Sequence, residues 1–148
     1  MASRFFGRFE HSVDAKGRIV LPARFRKEFD TQAYVSQYTD GCVALWTPEE
    51  FDLQLASMEE RQAHSSQDRN MARIWAGTSA EVEIDRQGRL AVPVYLRTFA
   101  RLGSTVLVMG ALQRVELWNP DVWEARVRPA EDAMIHPPDR ATAGIAGG

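Results

Sequence analysis

The sequence predicts an α+β fold built from two copies of one β module, with helices between and after them. Three observations predict it. Asp14-Ala15-Lys16-Gly17-Arg18-Ile19-Val20-Leu21-Pro22 returns as Asp85-Arg86-Gln87-Gly88-Arg89-Leu90-Ala91-Val92-Pro93, with Asp, Gly, Arg and Pro all displaced by 71 residues. Leu45-Trp46-Thr47-Pro48 returns as Leu117-Trp118-Asn119-Pro120 at a displacement of 72, one residue of loop slip later. Strand-like apolar stretches flank these motifs, and helical spacing follows each proline. Two copies make a duplicated module and not a solenoid. Each strand set is short and cannot bury two faces alone, so the halves are expected to pair about a pseudo-two-fold axis.

The elements follow in order. Arg8 to Asp14 alternates, with Phe9, His11 and Val13 on one side, and predicts a strand with one buried face. Asp14 to Gly17 is a turn: Asp14 can bond the turn's own backbone, and Gly17 can take a positive φ. Arg18 to Leu21 is a β-favouring run. Pro22 opens a short helix, Ala23 to Phe29, with Phe25 and Phe29 as its apolar stripe. Tyr34–Tyr38 and Cys42–Trp46 read as strands around the turn residues Thr39-Asp40-Gly41. Thr47 caps a helix with Pro48 at its first position and Glu50 completing a capping box, and Phe51, Leu55 and Met58 share one face.

His64 to Gln67 reads as a loop. Asp68 to Ala76 reads as a helix with Met71, Ile74 and Trp75 on one face and Gly77 as its stop. The second module repeats the order. Glu81–Ile84, the Gly88 turn, Leu90–Val92 and a helix Val94–Leu102 are followed by strands Val106–Met109 and Val115–Trp118. A last helix, capped by Asn119, carries Trp123 and Val127. The boundaries are 7–55 for the first module, 56–77 for a helical linker, 78–127 for the second module and 128–148 for a Pro-, Ala- and Gly-rich tail expected to be poorly ordered. Trp46, Trp118 and Trp123 hold repeated positions and read as core. Trp75 has no counterpart and reads as core or as a subunit contact.

Composition narrows the function. The chain of 148 residues carries a net charge of −2, but the charge is segregated. Arg4 to Phe29 holds seven basic residues against three acidic, and Asp85 to Arg101 four against one, whereas Asp40 to Arg61 holds six acidic against one basic. A basic face on the motif segments is the expected consequence. Cys42 is the single cysteine, so an intramolecular disulfide is excluded. The N-terminal residues lack an apolar core of signal-peptide length, and the longest apolar run, Val106 to Leu112, is too short for a bilayer span. A soluble cytoplasmic protein is expected. His11, His64 and His136 show no metal-ligand spacing, and there is no nucleophile elbow, phosphate-binding glycine loop or dinucleotide fingerprint. No enzyme activity, cofactor, metal or small-molecule substrate is expected.

DNA is the partner the motif suits. An arginine at the start of a strand, just after a tight turn, can present its five-donor fork to a phosphate or to guanine O6 and N7, and a β-ribbon fits a major groove. Arg18 and Arg89 hold that position. The structural alternative is an ion pair across the turn from Asp14 to Arg18, which could also orient the arginine. Lys16 and Arg86 sit in the turns and suit phosphates better than bases. Arg26, Lys27 and Arg97 lie on the short helices, where a solvated face is an equal alternative.

The repeated Asp-x-x-x-Arg strand, Phe6-Gly7 ahead of its first copy, Leu-Trp-x-Pro closing each copy and a helical insert between them resemble the MraZ family of transcriptional regulators. The resemblance covers roughly Gly7 to Val127, and each half looks like a SpoVT-AbrB domain, a swapped-hairpin β module. It implies sequence-specific binding of double-stranded DNA, with the turns of Asp14, Gly17, Asp85 and Gly88 presenting Arg18 and Arg89, and with Arg26 and Arg97 on the DNA surface. It further implies a ring-like homo-oligomer, nucleoid association, and short G-rich direct repeats upstream of the division and cell-wall gene cluster as the operator. The alternative is an antitoxin-like module of the same fold that sequesters a protein through its tail.

Overall fold

The computed structural model describes residues 3–137. Its central layer is one six-stranded antiparallel sheet to which both halves contribute. The strands are β1 (Arg8–Ser12), β3 (Gln32–Tyr38), β4 (Cys42–Trp46), β5 (Ala80–Glu83), β7 (Thr105–Gly110) and β8 (Val115–Trp118), in the order β1-β7-β8-β4-β3-β5. The edge strand of each half pairs with the other half: β1 lies on β7 with Phe9 opposite Val108, and β5 lies on β3 with Val82 opposite Ala33. Two further short strands, β2 (Arg18–Val20) and β6 (Arg89–Ala91), pair only with each other as a separate antiparallel ribbon.

Alternation along the strands explains the layering. Val43 and Leu45 of β4 face one side with Val115 and Leu117 of β8, whereas Ala44 and Trp46 face the other. The first side holds the larger core. There Ile19 and Leu90 of the ribbon, Phe25 and Phe29 of α1 (Ala23–Phe29), and Leu96 and Ala100 of α4 (Val94–Ala100) pack on the sheet. Phe5 enters the same core beneath α1, stacked on Phe29 at 5.2 Å and edge-on to Phe25 at 5.6 Å between ring centroids. The opposite side carries α2 (Pro48–Arg61) and α3 (Ser66–Thr78) over one half and α5 (Pro120–Arg126) over the other. Trp46 and Trp118 are buried there as the repeat requires, donating Nε1 to Ser36 Oγ at 2.9 Å and Glu116 Oε1 at 3.0 Å. Trp75 is buried in the same layer, stacked on Phe51 at 5.1 Å, which makes it core. Cys42 is also buried here, and the loss of solvation pushes its thiol pKa up.

Several sequence expectations are corrected by local chemistry. Only half of the capping box at Thr47 forms: its hydroxyl accepts from the Glu50 N–H at 3.2 Å, but the Glu50 carboxylate accepts from Gln54 instead. The expected loop at His64–Gln67 is shorter, because Ser65 caps α3 through the Asp68 N–H. Gly77 lies inside α3 and does not stop it. The stop is at Ser79, whose hydroxyl, with that of Thr78, bonds the Trp75 and Ile74 carbonyls. α4 ends before Leu102 because Arg101 turns left-handed at φ 55°. The tail differs most. Arg128–Ile135 forms a further helix, α6, with Pro129 in its first turn, Arg128 bonded to Asp132, and Glu131 paired with Arg8 at 2.6 Å. A proline that breaks a helix interior is compatible with its first turn. The rest of the expected tail, from residue 138, lies outside the described residues.

None of the α6 side chains is buried. Truncation after Arg128 is therefore expected to lower the melting temperature only slightly, while removing one helix from the far-UV spectrum. A thermal melt checks this, and a large drop would mean that α6 docks firmly through Arg8.

Candidate nucleic-acid interface

The ribbon β2/β6 is where the two motif copies meet. Arg18 stands opposite Ala91, Ile19 opposite Leu90, and Val20 opposite Arg89. The pleat sends Ile19 and Leu90 inward, and both are 1% exposed. It sends Arg18, Val20, Arg89 and Ala91 outward, so both motif arginines share one outer face. They are diagonal neighbours, with Cα atoms roughly 7–8 Å apart. Because the strands are antiparallel, the two turns lie at opposite ends of the ribbon. Lys16 and Arg86 are exposed on them.

Each turn is closed by its aspartate in the same way. Asp14 Oδ1 accepts the N–H groups of Lys16 and Arg18, both at 2.9 Å, and Oδ2 accepts Arg18 Nε at 2.8 Å. Asp85 does the same for Gln87, Arg89 and Arg89 Nε. The Gly17 N–H closes on the Asp14 carbonyl, and the Gly88 N–H on that of Asp85, both at 2.9 Å. Gly17 at φ 75° and Gly88 at φ 79° occupy the left-handed region that a side chain would strain. The turn-spanning ion pair and the presented arginine are thus compatible. The carboxylate takes Nε from the side, and among the described residues neither terminal nitrogen of Arg18 or Arg89 has a hydrogen-bond partner. Those two nitrogens form the fork that matches a guanine edge or a phosphate.

The backbone N–H of Arg18 is the main cause that holds the Asp14 carboxyl below the usual aspartate range, aided by the Arg18 guanidinium and the Lys16 N–H. Arg89 and Gln87 do the same for Asp85. A depressed carboxyl stabilises the fold at pH values above its unfolded pKa, and that contribution is lost as pH falls through the lower folded value. In a carboxyl NMR titration Asp14 and Asp85 are expected to protonate later than ordinary aspartates as pH falls. Ordinary titration of both would mean that the turns are not closed by their carboxylates in solution.

The helix residues are placed differently from the strand arginines. Lys27 is exposed on α1. Arg26 and Arg97 are half-buried, and each reaches the turn glycine of the other half. Val20 and Ala91, which complete the outer face, were hidden in the sequence inside apolar runs. The signal for them is the period-two alternation counted from Arg18. Among the described residues no cluster of His, Cys, Asp or Glu suits a metal ion, and no helix is long and apolar enough to cross a membrane.

Comparison with known proteins adds a family to this geometry. A family model described as "MraZ protein, putative antitoxin-like" matches twice, over residues 5–74 and 75–144. A transcriptional regulator MraZ of Ligilactobacillus salivarius is 35% identical over 128 residues, covering 86% of this chain and 90% of that protein. Namesakes from Lactiplantibacillus plantarum, at 33% over 81% of this chain and 85% of the relative, and from Thermoanaerobacter sp., at 34% over 80% and 82%, agree. With two tandem matches that together span most of its length, the chain belongs to the MraZ family.

Proposed function

We propose that this protein is a sequence-specific DNA-binding transcriptional regulator. The observation that carries the proposal is the outer face of the β2/β6 ribbon, which Arg18 and Arg89 share as diagonal neighbours with their terminal nitrogens unpartnered among the described residues. In this reading those two arginines take base edges, while Lys16 and Arg86 on the turn tips take phosphates. Lys27, exposed on α1, adds further positive charge. The relatives named above are called transcriptional regulators, which supports the same reading. No catalytic chemistry and no cofactor enter it.

The proposal includes a swapped-hairpin, AbrB-like arrangement of the two halves about a pseudo-two-fold axis. Its support is the strand order. Exchanging each strand for its counterpart in the other half reverses β1-β7-β8-β4-β3-β5 onto itself. It also includes a ring-like homo-oligomer, supported by Val94, Tyr95, Ile74 and Met71, which stand about half or more exposed on α4 and α3. Apolar surface of that kind favours association, and closed rings are its soluble form. Light scattering coupled to gel filtration is expected to give a discrete oligomer; a clean monomer at micromolar concentration would remove the ring. The operator in this proposal is a set of short direct repeats upstream of the division and cell-wall gene cluster, and the place of action is the cytoplasmic nucleoid. A gel shift with the purified protein and its own upstream DNA tests the function: retention of that fragment over unrelated DNA is expected, and equal or no retention would refute it.

The antitoxin-like reading has one observation in its favour, Met134 and Ile135 exposed at the end of α6. Truncation after Arg128 separates the two readings, since DNA affinity survives it only if the ribbon and not the tail is the working surface.

A further inference from the structure

We infer that Arg26 and Arg97 are positioning residues that act across the two halves, each bracing the turn that presents the other half's motif arginine. This inference rests on the DNA-binding reading of Arg18 and Arg89 only for its functional consequence; the brace itself is a property of the free protein.

At the first turn the geometry is a closed circuit. The Gly17 carbonyl accepts the N–H of Val92 at 3.2 Å. The Val92 carbonyl accepts Nε of Arg97 at 3.0 Å. The Arg97 guanidinium then lies over the Cα of Gly17: a Cβ there would sit 2.5 Å from Cζ and 2.7 Å from both Nε and Nη2. Near-equal distances to three guanidinium atoms place that point above the plane, so the flat face of Arg97 covers the turn. In the other half the Gly88 carbonyl accepts the Leu21 N–H at 2.9 Å, and Arg26 covers Gly88 by contact alone among the described residues, with its Nη1 nearest and its Cδ 2.7 Å and Cζ 3.1 Å from a Cβ built there. Glycine at the two turns therefore answers two demands, the positive φ and the room for a guanidinium from the opposite half.

The consequence follows from connectivity. Arg18 is the residue after Gly17, and its N–H is already held by Asp14. With Gly17 clamped from its own side by Asp14 and from the far side by Val92 and Arg97, the base of the Arg18 side chain has a fixed place. A binding group held in place loses less freedom on association. Arg97 thus serves the affinity of Arg18, and Arg26 that of Arg89. A lysine keeps the charge but lacks the planar group that can lie flat on the turn.

Amide hydrogen exchange on the full chain without DNA tests the brace. Arg97→Lys is expected to speed exchange at Gly17 and Arg18 several-fold and to leave Gly88 and Arg89 unchanged, and Arg26→Lys is expected to do the mirror image. Unchanged turns in both variants, or loosening confined to a variant's own half, would overturn it. If either variant melts too low for exchange, a double-mutant cycle replaces it. Gly17→Ala and Arg97→Lys are expected to be non-additive in melting temperature, and additivity would overturn the inference. DNA titration at two salt concentrations supplies the functional readout. Arg97→Lys is expected to bind several-fold more weakly with the parent's salt slope. Full rescue by lysine would mean that Arg97 is a phosphate contact and that the brace does not serve binding. Failure of the parent itself to prefer its upstream DNA would instead count against the regulator reading, leaving the exchange result to stand alone.

Discussion

Arg18→Ala is expected to weaken specific DNA binding by roughly 1–3 kcal/mol for each engaged site and to relax the sequence preference there. The fork nitrogens of Arg18 are the groups lost, and no neighbour on the outer face replaces them. Val20 and Ala91 carry no donor, and Arg89 stands at the diagonal corner with its own aspartate. Lys16→Ala is expected to behave differently. It removes a point charge on the turn tip, so all sequences should weaken alike and the salt slope should fall by about one unit per site. If the proposed ring engages several repeats, the Arg18 loss would multiply through lost avidity. Arg89→Ala should match Arg18→Ala, because the ribbon places both on one face. Titrations at two salt concentrations, with melting curves for each variant, check these outcomes. Arg18→Ala also breaks the bond to Asp14, so some loss of stability is expected beside the loss of affinity. Parental affinity with a lower melting point would reduce the motif to a structural turn.

Leu90→Ala is expected to cost about 2–5 kcal/mol, the range for removing a buried leucine. Leu90 is 1% exposed and sits opposite Ile19 beneath the ribbon, in a core that also holds Phe25, Phe29, Leu96 and Val108. That core is drawn from both halves, so a cavity under the second motif loosens the first as well. A single unfolding transition, shifted as a whole, is expected in a denaturant melt followed by both fluorescence and circular dichroism. Two separated transitions would mean that the halves are independently stable. Since typical domains are stable by only about 5–15 kcal/mol, the variant is expected to be marginal.

The sequence made the repeated parts legible and the singular parts obscure. The helix Ala23–Phe29 and the strand Cys42–Trp46 have the bounds expected of them, because Pro22, Gly41 and Pro48 are strong local signals placed at their ends. Which strands pair between the halves was not legible from the residues themselves, since β1 and β7 lie nearly a hundred residues apart and no local pattern encodes a partner. Gly77 misled because a glycine near a helix end reads as a stop, whereas the carbonyls there are bonded by Thr78 and Ser79. The helix at Arg128–Ile135 was obscured by proline content, although Pro129 holds a position that a helix tolerates. Of the candidate site, the equivalent turn positions of Arg18 and Arg89 were legible from the duplication at an offset of 71, and the family resemblance added their expected role. The placement of Arg26 and Arg97 over the opposite turns was not, because two stretches 71 residues apart meet only in the folded chain.

The central claim is that DNA meets this protein on the outer face of the β2/β6 ribbon. Hydrogen exchange by mass spectrometry, with and without the protein's own upstream DNA, tests it most directly. Protection is predicted at Asp14–Val20 and Asp85–Ala91 together, with the α2–α3 and α5–α6 layer on the opposite side of the sheet unchanged. Protection confined to that opposite layer, with both turns exchanging as in the free protein, would contradict the account.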